Sequence, residues 1–274
     1  MKHYYIVCDV SLCHDFNNCF IACKDEHVDN EWLPHTNTQP RHGHRWMNIL
    51  RKERGQYPRI DVAYLPMPCR HCDDAPCIKA NQSCIYRRDD GIVQIDIEKA
   101  RGNKTLASSC PYGAIHWNED ADVAQKCTMC AHILDGDSWD RKLPRCVHSC
   151  PTNALEFHHL EPSEMDKKIA DEALEAYAPE LGGNKAGVYY RNLHRFEKHF
   201  ISGGLLKNDE CLEGAAVSLS GCGDVAMSQT TDCFGDFKFD GLERGDYAVF
   251  VDGKHLLSVT IEESINLGSI SIEG

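Results

Sequence analysis

The spacing of its cysteines limits what this chain can fold into more than any other feature. Of sixteen cysteines, thirteen lie before residue 151. Most of the thirteen fall into four motifs, which are Cys13/Cys19/Cys23, Cys69-x-x-Cys72-x4-Cys77, Cys110-Pro111, and Cys127-x-x-Cys130 with Cys146-x3-Cys150-Pro151. The N-terminal residues lack the basic region, apolar core and cleavage site of a secretory signal, so we expect a cytoplasmic chain. Disulfides are disfavoured in the cytoplasm, and metal or redox chemistry is the better interpretation.

Cubane iron–sulfur clusters account for both the local loops and the remote Cys-Pro pairs. Such clusters take four thiolates, and in two-cluster ferredoxins the last cysteine of each loop serves the other cluster. Applying this exchange predicts three ligand sets. We name them the Cys69 set (Cys69, Cys72, Cys77 and Cys110), the Cys23 set (Cys23, Cys127, Cys130 and Cys146) and the Cys13 set (Cys13, Cys19 and Cys150). The sequence therefore predicts three clusters, two of them 4Fe–4S.

The Cys13 set is short of one ligand. A complete loop would read Cys-x-x-Cys-x-x-Cys, and Phe16 occupies the middle position. The third cluster is then 3Fe–4S, or 4Fe–4S with a ligand from Asp15 or His14, or 4Fe–4S with an open iron. We favour 3Fe–4S, because phenylalanine cannot ligate iron and the other two outcomes need a rearranged loop. Cys8 is a weak further candidate as a ligand.

A structural zinc site is the main alternative to clusters. Zinc also uses pairs of Cys-x-x-Cys motifs, and Cys127, Cys130, Cys146 and Cys150 could form a finger by themselves. Zinc does not explain the two Cys-Pro pairs, and we therefore prefer clusters. The cysteines outside the three sets are interpreted as buried small side chains or surface thiols, namely Cys8, Cys84, Cys211, Cys222 and Cys233.

The sequence changes character near residue 200, which predicts an α+β fold in two domains. Residues 1–200 are expected to form a doubled ferredoxin-like domain, with a helix over Ser163–Tyr177 that begins in a capping box of Ser163 and Asp166. Residues 203–274 are expected to form a small antiparallel β-sandwich of the immunoglobulin-like type, with Ser202-Gly203-Gly204 as the boundary. The predicted strands are Ala215–Leu219, Val225–Gln229, Asp236–Phe239, Tyr247–Val251, Leu256–Ile261 and Leu267–Ile272.

Bulk properties exclude several classes of function. A formal net charge of −13 argues against nucleic acid or an anionic membrane surface as a partner. No apolar stretch reaches the roughly 18 residues that a membrane span requires. The chain has no phosphate-binding glycine loop, nucleophile elbow or clear acid–base pair. We interpret the basic stretch Arg41–Arg54 as a scaffold segment with some contact to a partner. Nothing in the sequence performs organic chemistry by itself.

In this order, the cysteine motifs resemble those of the iron–sulfur subunits of the dimethyl sulfoxide reductase family of molybdenum and tungsten enzymes. Members of that family usually carry four clusters on a doubled ferredoxin core. In this chain the third motif keeps only Cys110, and Asn81 stands where the second motif would have a fourth cysteine. Both losses belong to the same cluster, so the resemblance implies that one cluster has been deleted as a whole.

Further segments are similar to a transhydroxylase branch of this family, and they cover nearly the whole chain. They are Asn17–Cys19, Asp25–His27, Asn30–Trp32, Arg41–Ile49, Cys110–Gly113 and Ala124–His132. The resemblance implies a heterodimer in which a large subunit carries a molybdenum bis-pterin and exchanges hydroxyl groups between polyhydroxybenzenes. This chain would transfer electrons and contribute no catalytic residue. The pattern from Thr230 to Tyr247 is similar to carboxypeptidase-regulatory sandwiches.

Two other functions stay open at the level of sequence. A related anaerobic reductase, such as a catechol dehydroxylase, would use the same kind of subunit to deliver electrons from outside. A free-standing polyferredoxin would carry electrons without a catalytic partner. Copurification of a large molybdenum-containing chain separates the second possibility from the others.

Overall fold

The computed structural model describes residues 1–137, 140–221 and 225–272 of the chain. These residues form two compact units. The first unit consists of Met1–Leu50 and Tyr64–Leu193, and the second of Arg51–Ala63 and His194–Gly274. The division that the sequence suggested at residues 200 to 203 therefore lies at Leu193/His194 in the structure, and a segment from early in the chain belongs to the second unit.

A three-stranded sheet organises the first unit, with the N-terminal strand at its centre. The strand that Tyr4, Ile6 and Val7 predict is confirmed as β1 (His3–Asp9). It pairs antiparallel with β8 (Leu155–Leu160) and parallel with β9 (Val188–Arg191). This sheet places the residues that follow Cys150 directly beside the residues that precede Cys13.

The rest of the first unit is built from short elements that leave most of the motif cysteines in loops or near helix ends, with Cys23 in the middle of the first helix. Its hairpins are β4 (Ile85–Arg87) with β5 (Val93–Ile95) and β6 (His116–Asn118) with β7 (Val123–Gln125). Its helices are α1 (Asn18–His27), α2 (Pro76–Ala80), α3 (Ile97–Ala100), α4 (Ala131–Asp135), α5 (Arg145–His148), α6 (Pro162–Glu172) and α7 (Pro179–Gly182), with a 3₁₀ helix at Lys104–Ser109.

Helix α6 corrects the helix predicted over Ser163–Tyr177. Its N-cap is Glu161, and the capping box joins Glu161 to Glu164, whose carboxylate accepts a hydrogen bond from the Glu161 backbone N–H at 2.8 Å. Pro162 occupies the first turn, where its missing N–H costs nothing. The helix ends at Glu172, and its C-cap Ala173 is left-handed with φ 50°. The predicted cap, Ser163 with Asp166, is therefore wrong.

A further hairpin, β2 (Asn48–Gln56) with β3 (Arg59–Met67), carries the chain from the first unit into the second and back. Its tip segment, Arg51–Ala63, supplies the buried Arg54 to the second unit. There the Arg54 guanidinium pairs with Asp61 at 2.6 Å and with Asp240 at 2.8 Å. Part of the basic stretch is thus a structural element of the second unit.

The second unit consists of two four-stranded sheets that share one hydrophobic core, preceded by the short helix α8 (His194–Glu197). One sheet contains β11 (Glu210–Cys211), β10 (His199–Lys207), β14 (Asp236–Leu242) and β17 (Ile265–Ser271). The other contains β13 (Val225–Thr230), β12 (Ala216–Gly221), β15 (Gly245–Val251) and β16 (Lys254–Ile261). Residues such as Ile201, Val217, Phe237 and Val249 meet in the core between them. Each of the six predicted strands overlaps one of these strands.

The expected boundary at Ser202-Gly203-Gly204 lies inside β10, which pairs with both β14 and β17. A Cβ atom on Gly203 would lie 2.9 Å from the ring of Phe237. Gly203 therefore leaves room for an aromatic ring that packs against the strand, and the chain does not turn at this position. Gly221 of the predicted turn is the last residue of β12, and residues 222–224, with Cys222, lie outside the described residues.

Replacing Gly203 with alanine should destabilise the second unit by about 1–3 kcal/mol, because the methyl group must displace the packed Phe237 ring. The neighbouring Gly204→Ala change is the control. Its Cβ would meet only the end of the Asp236 side chain, at 3.1 Å. Hydrogen exchange of the β14 amides measures the difference. Equal protection in the two variants would contradict this packing.

At the level of class, the expected α+β fold is confirmed, and strands predominate. The doubled ferredoxin core and the immunoglobulin-like type of sandwich stay predictions. Among the described residues, no helix has both the length and the apolar character needed to cross a membrane.

Candidate iron–sulfur sites

The Cys13 set borders a cavity in the first unit. The residues around this cavity include the three cysteines of the set together with Phe16, Ile49, Pro66, Pro151 and Leu155. The loop curls at Asp15 and Asn17, which have φ values of 57° and 60°, a conformation that Asp and Asn tolerate best among non-glycine residues. The Asn17 side-chain amide donates to the Asp15 carboxylate at 2.9 Å. Phe16 is 60% exposed at the outer end of the loop.

The four cysteines of the Cys69 set border a second cavity, also in the first unit. Cys69 and Cys72 lie in the loop after β3, Cys77 lies in α2, and Cys110 follows the 3₁₀ helix. Burial, with a smaller contribution from the neighbouring charge of Cys69, raises the pKa of Cys72 to about 12 and that of Cys77 to about 11. The free thiols therefore stay protonated, and iron must displace their protons to bind.

Two buried cations flank the Cys69 set, and the sequence analysis did not identify either. Lys126 lowers the pKa of Cys77 and Cys110 against the larger effect of burial, and its Nζ donates to the Cys127 carbonyl at 3.0 Å. Arg70 is 1% exposed, and its guanidinium donates to the Tyr112 hydroxyl. A buried cation next to several thiolates favours their charged form. No local sequence pattern predicts that these two cations lie beside the Cys69 set, since their positions depend on tertiary contacts.

The Cys23 set brings together residues from four places in the chain. Cys23 lies in α1 and Cys146 in α5, and Cys130 is the left-handed N-cap of α4. Burial raises the pKa of Cys23 well above its ordinary value, and the charges of Cys127 and Cys130 raise it further. The Met129 backbone N–H donates to the Cys127 sulfur at 3.3 Å. N–H···S hydrogen bonds of this kind tune the potential of a bound cluster.

The Cys23 set lies between the other two sets. The charge of Cys69 raises the pKa of Cys127, after the effect of burial, and the charge of Cys19 contributes in the same way to that of Cys146. Helix α1 carries Cys19 of one set and Cys23 of the other, four residues apart, which is about 6 Å along the helix axis. The three sets therefore follow one another in the order Cys13, Cys23, Cys69.

The grouping argues against the zinc finger that Cys127, Cys130, Cys146 and Cys150 could have formed. Cys150 lies with Cys13 and Cys19 around the first cavity, whereas Cys146 lies with Cys130, Cys127 and Cys23. Each set thus combines cysteines from distant parts of the chain, in the pattern that the ferredoxin exchange predicts. Ligation of iron by these residues stays a prediction until iron and sulfide are measured.

The cysteines outside the three sets differ in their surroundings. Cys84 is buried in the core of the first unit, and its thiol donates to the Lys99 carbonyl at 3.2 Å. Cys211 and Cys233 are exposed in the second unit. Cys8 is fully buried, and the charges of Cys13, Cys19 and Cys150 raise its pKa in addition to the larger effect of burial. Among these cysteines, Cys8 in β1 is the one nearest in sequence to the incomplete set.

A buried polar network supports the Cys23 set from the side of α1. Glu26 pairs with His132 at 2.9 Å and with Arg145 at 3.0 Å. The His132 ring stacks on Trp32, with the ring centroids 4.2 Å apart. The Trp32 indole N–H donates to the Glu26 carbonyl at 2.8 Å. These contacts tie α1 to the residues next to Cys130 and Cys146, and they give a structural reason for the Asp25–His27 and Asn30–Trp32 segments.

Comparison with known proteins agrees with this chemistry. The family model described as "4Fe-4S dicluster domain" matches residues 60–160. The pyrogallol hydroxytransferase small subunit of Pelobacter acidigallici is 50% identical over 276 residues, covering 99% of this chain and 100% of that protein. Its match includes both units.

Two other curated relatives match a shorter part of the chain. A putative iron–sulfur subunit of dimethyl sulfoxide reductase from Halobacterium salinarum is 31% identical, over 70% of this chain and 80% of the relative. A component of the anaerobic dimethyl sulfoxide reductase of Escherichia coli is 30% identical, over 66% of this chain and 84% of the relative.

Proposed function

Because the chain belongs to the family of iron–sulfur subunits of dimethyl sulfoxide reductase-type molybdenum enzymes, we propose that it serves a large subunit that converts pyrogallol to phloroglucinol. As a member of that family it is an electron-transfer subunit, and the catalytic site lies on the partner. The pyrogallol hydroxytransferase subunit matches 99% of the chain, whereas the reductase subunits match 66–70%. This difference in coverage is the observation that supports the choice of substrate.

In this proposal each set of cysteines holds one cluster. The Cys69 set and the Cys23 set hold 4Fe–4S clusters with four thiolates each. The Cys13 set holds the third, which is 4Fe–4S or 3Fe–4S according to whether a fourth ligand reaches it. Iron–sulfur clusters supply one-electron redox chemistry. The partner carries the molybdenum bis-pterin, the first unit is a doubled ferredoxin-like domain, the second is an immunoglobulin-like sandwich, and the pair works in the cytoplasm.

The contribution of this chain is to bind, order and tune the redox centres. Its three sets lie in sequence, so that an electron passing between the Cys13 set and the Cys69 set meets the Cys23 set on the way. Lys126 and Arg70 offset thiolate charge at the Cys69 set, and the Glu26 network fixes the helices that carry the Cys23 set. Burial excludes water from the sulfurs and strengthens each of these electrostatic contacts.

The test is purification under anoxia followed by turnover. A large molybdenum-containing chain should copurify, and its absence would favour a free-standing polyferredoxin. The purified pair should convert pyrogallol to phloroglucinol without an added reductant, because the two compounds are isomers and the net reaction consumes no electrons. Dependence of turnover on an external electron donor, with loss of a hydroxyl group, would instead identify a dehydroxylase.

A further inference from the structure

We propose that Cys8 supplies the fourth thiolate to the cluster at the Cys13 set, in place of the ligand that Phe16 cannot provide. This inference rests on the proposed function in one respect, namely that the Cys13 set holds a cluster. Under it, the third cluster is 4Fe–4S, and the 3Fe–4S form that the sequence favoured is what remains when Cys8 is removed.

The alternation of β1 directs Cys8 toward the cluster side of the sheet. Tyr5 and Val7 pack on one face of the strand, against Met165 of α6. Successive side chains of a strand point to opposite faces, so Cys8 points away from that helix. Cys8 shares the opposite face of the strand with Ile6.

The neighbours of Cys8 in the sheet locate it more closely. Cys8 is paired with Leu155 of β8 on one side and with Tyr190 of β9 on the other, and directly paired residues share a face. Leu155 borders the Cys13-set cavity. The Tyr190 hydroxyl donates to the carbonyl of Pro66 at 2.9 Å, and Pro66 borders the same cavity. Cys8 therefore lies between Leu155, which borders the cavity, and Tyr190, which is hydrogen-bonded to a residue that borders it.

Burial keeps water away from the sulfur that would bind iron. Cys8 has an exposed fraction of 0%. Ligation replaces the S–H bond with an S–Fe bond and releases one proton, with no change in oxidation state. The iron then offsets the charge of the new thiolate, which would otherwise be costly in so dry a place.

The other candidates for the fourth ligand are less well placed. Phe16 has no donor atom. The Asp15 carboxylate accepts the Asn17 amide at 2.9 Å, a contact that holds the loop in its curled form. His14 is exposed, and its ring lies beside Phe16, with the ring centroids 6.0 Å apart. A thiolate is also the ligand that cubane clusters use most.

Cys8→Ala tests the proposal, with Cys84→Ala as the matched control, since Cys84 is also buried in the first unit but belongs to the core around β4 and β5. The complex is purified under anoxia with its partner, and iron is counted and the oxidised protein is examined by EPR. We expect Cys8→Ala to lose about one iron per chain and to gain a 3Fe–4S signal. Cys84→Ala should change neither. An unchanged iron count and spectrum in Cys8→Ala would overturn the proposal.

Two further measurements separate failure of this inference from failure of the proposed function. A 3Fe–4S signal in the unaltered complex would overturn the role of Cys8 and leave the cluster in place. If the Cys13→Ala/Cys19→Ala double variant instead loses no iron, the Cys13 set holds no cluster, and the proposed function of this set is refuted. Adding Phe16→Cys to Cys8→Ala should restore the lost iron, because it rebuilds the complete loop, and this rescue shows that the Cys8→Ala chain still folds.

Discussion

Replacing Cys127 and Cys130 together with alanine is expected to remove the whole cluster of the Cys23 set. Two of its four thiolates disappear, and Cys23 and Cys146 cannot hold a cubane by themselves. Iron and sulfide should each fall by about four atoms per chain. Chemical assays of iron and acid-labile sulfide in the anaerobically purified complex measure both quantities.

The effect should extend beyond one cluster, because the Cys23 set lies between the other two. Electron exchange between the Cys13 and Cys69 sets should stop, which freeze-quench EPR would show as clusters that no longer equilibrate. Metal binding contributes directly to folding free energy, so the first unit should also unfold at a lower temperature. The control removes the exposed pair Cys211 and Cys233 in the same way. Normal iron content in the Cys127/Cys130 variant would refute the assignment of this set.

Replacing Arg54 with methionine is expected to destabilise the second unit by about 3–5 kcal/mol. Its guanidinium is 1% exposed and joins Asp61 and Asp240, each 20% exposed. Removing it leaves two partly buried carboxylates, with Lys238 and the more distant Arg195 as the remaining cations beside them. Hydrogen exchange of the β12 and β15 amides measures the loss.

The control for this variant is Arg59→Met, in the same segment of the second unit. Arg59 pairs with Asp236 at 2.5 Å, but the arginine is 47% exposed and the carboxylate 34% exposed. Water screens such a pair, so its removal should cost less than about 1 kcal/mol. Equal losses in the two variants would show that burial of Arg54 is not what makes its ion pairs important.

The same pair makes the effect of Arg54→Met dependent on pH. Burial raises the pKa of Asp240, but the hydrogen bond and charge of Arg54, with the charge of Lys238, hold it below its ordinary value. A lowered pKa contributes stability above the ordinary pKa, and that stability is lost as pH falls through the lowered value. The difference between variant and parent should therefore be largest near neutral pH and shrink below about pH 4. A difference that grows on acidification would contradict this account.

The cysteine motifs were the most informative part of the sequence, because cluster ligation requires short spacings that can be recognised without knowledge of the fold. The crossed pairing of Cys110, Cys23 and Cys150 with distant loops follows from the same rule. Cys110 and Cys150 each border a cavity together with the loop assigned to them, and ligation of iron stays a prediction. The place of Cys8 in the sheet depends on a strand register with Leu155 and Tyr190 that only the folded structure reveals.

Two of the errors, at Gly203 and Arg54, share a physical cause, which is that a distant contact decided the role of the residue. Gly203 was interpreted as a linker residue, but it makes room for the Phe237 ring. Ser163 was interpreted as a helix cap, but Pro162 moves the start of the helix to Glu161. Arg54 was assigned to a basic scaffold segment, but it pairs with Asp240, which follows 186 residues later. No window of sequence around Gly203 or Arg54 contains the deciding neighbour.

The two-part composition of the second unit has a consequence for how the protein is made. Arg54 leaves the ribosome long before Asp240, and roughly ten to forty seconds of synthesis separate them at usual elongation rates. Throughout that interval the Arg51–Ala63 segment has no sheet to join. The nascent chain therefore carries this hairpin without its later partners while the cysteine loops on either side of it emerge, and the strands of the second unit supply those partners only afterwards.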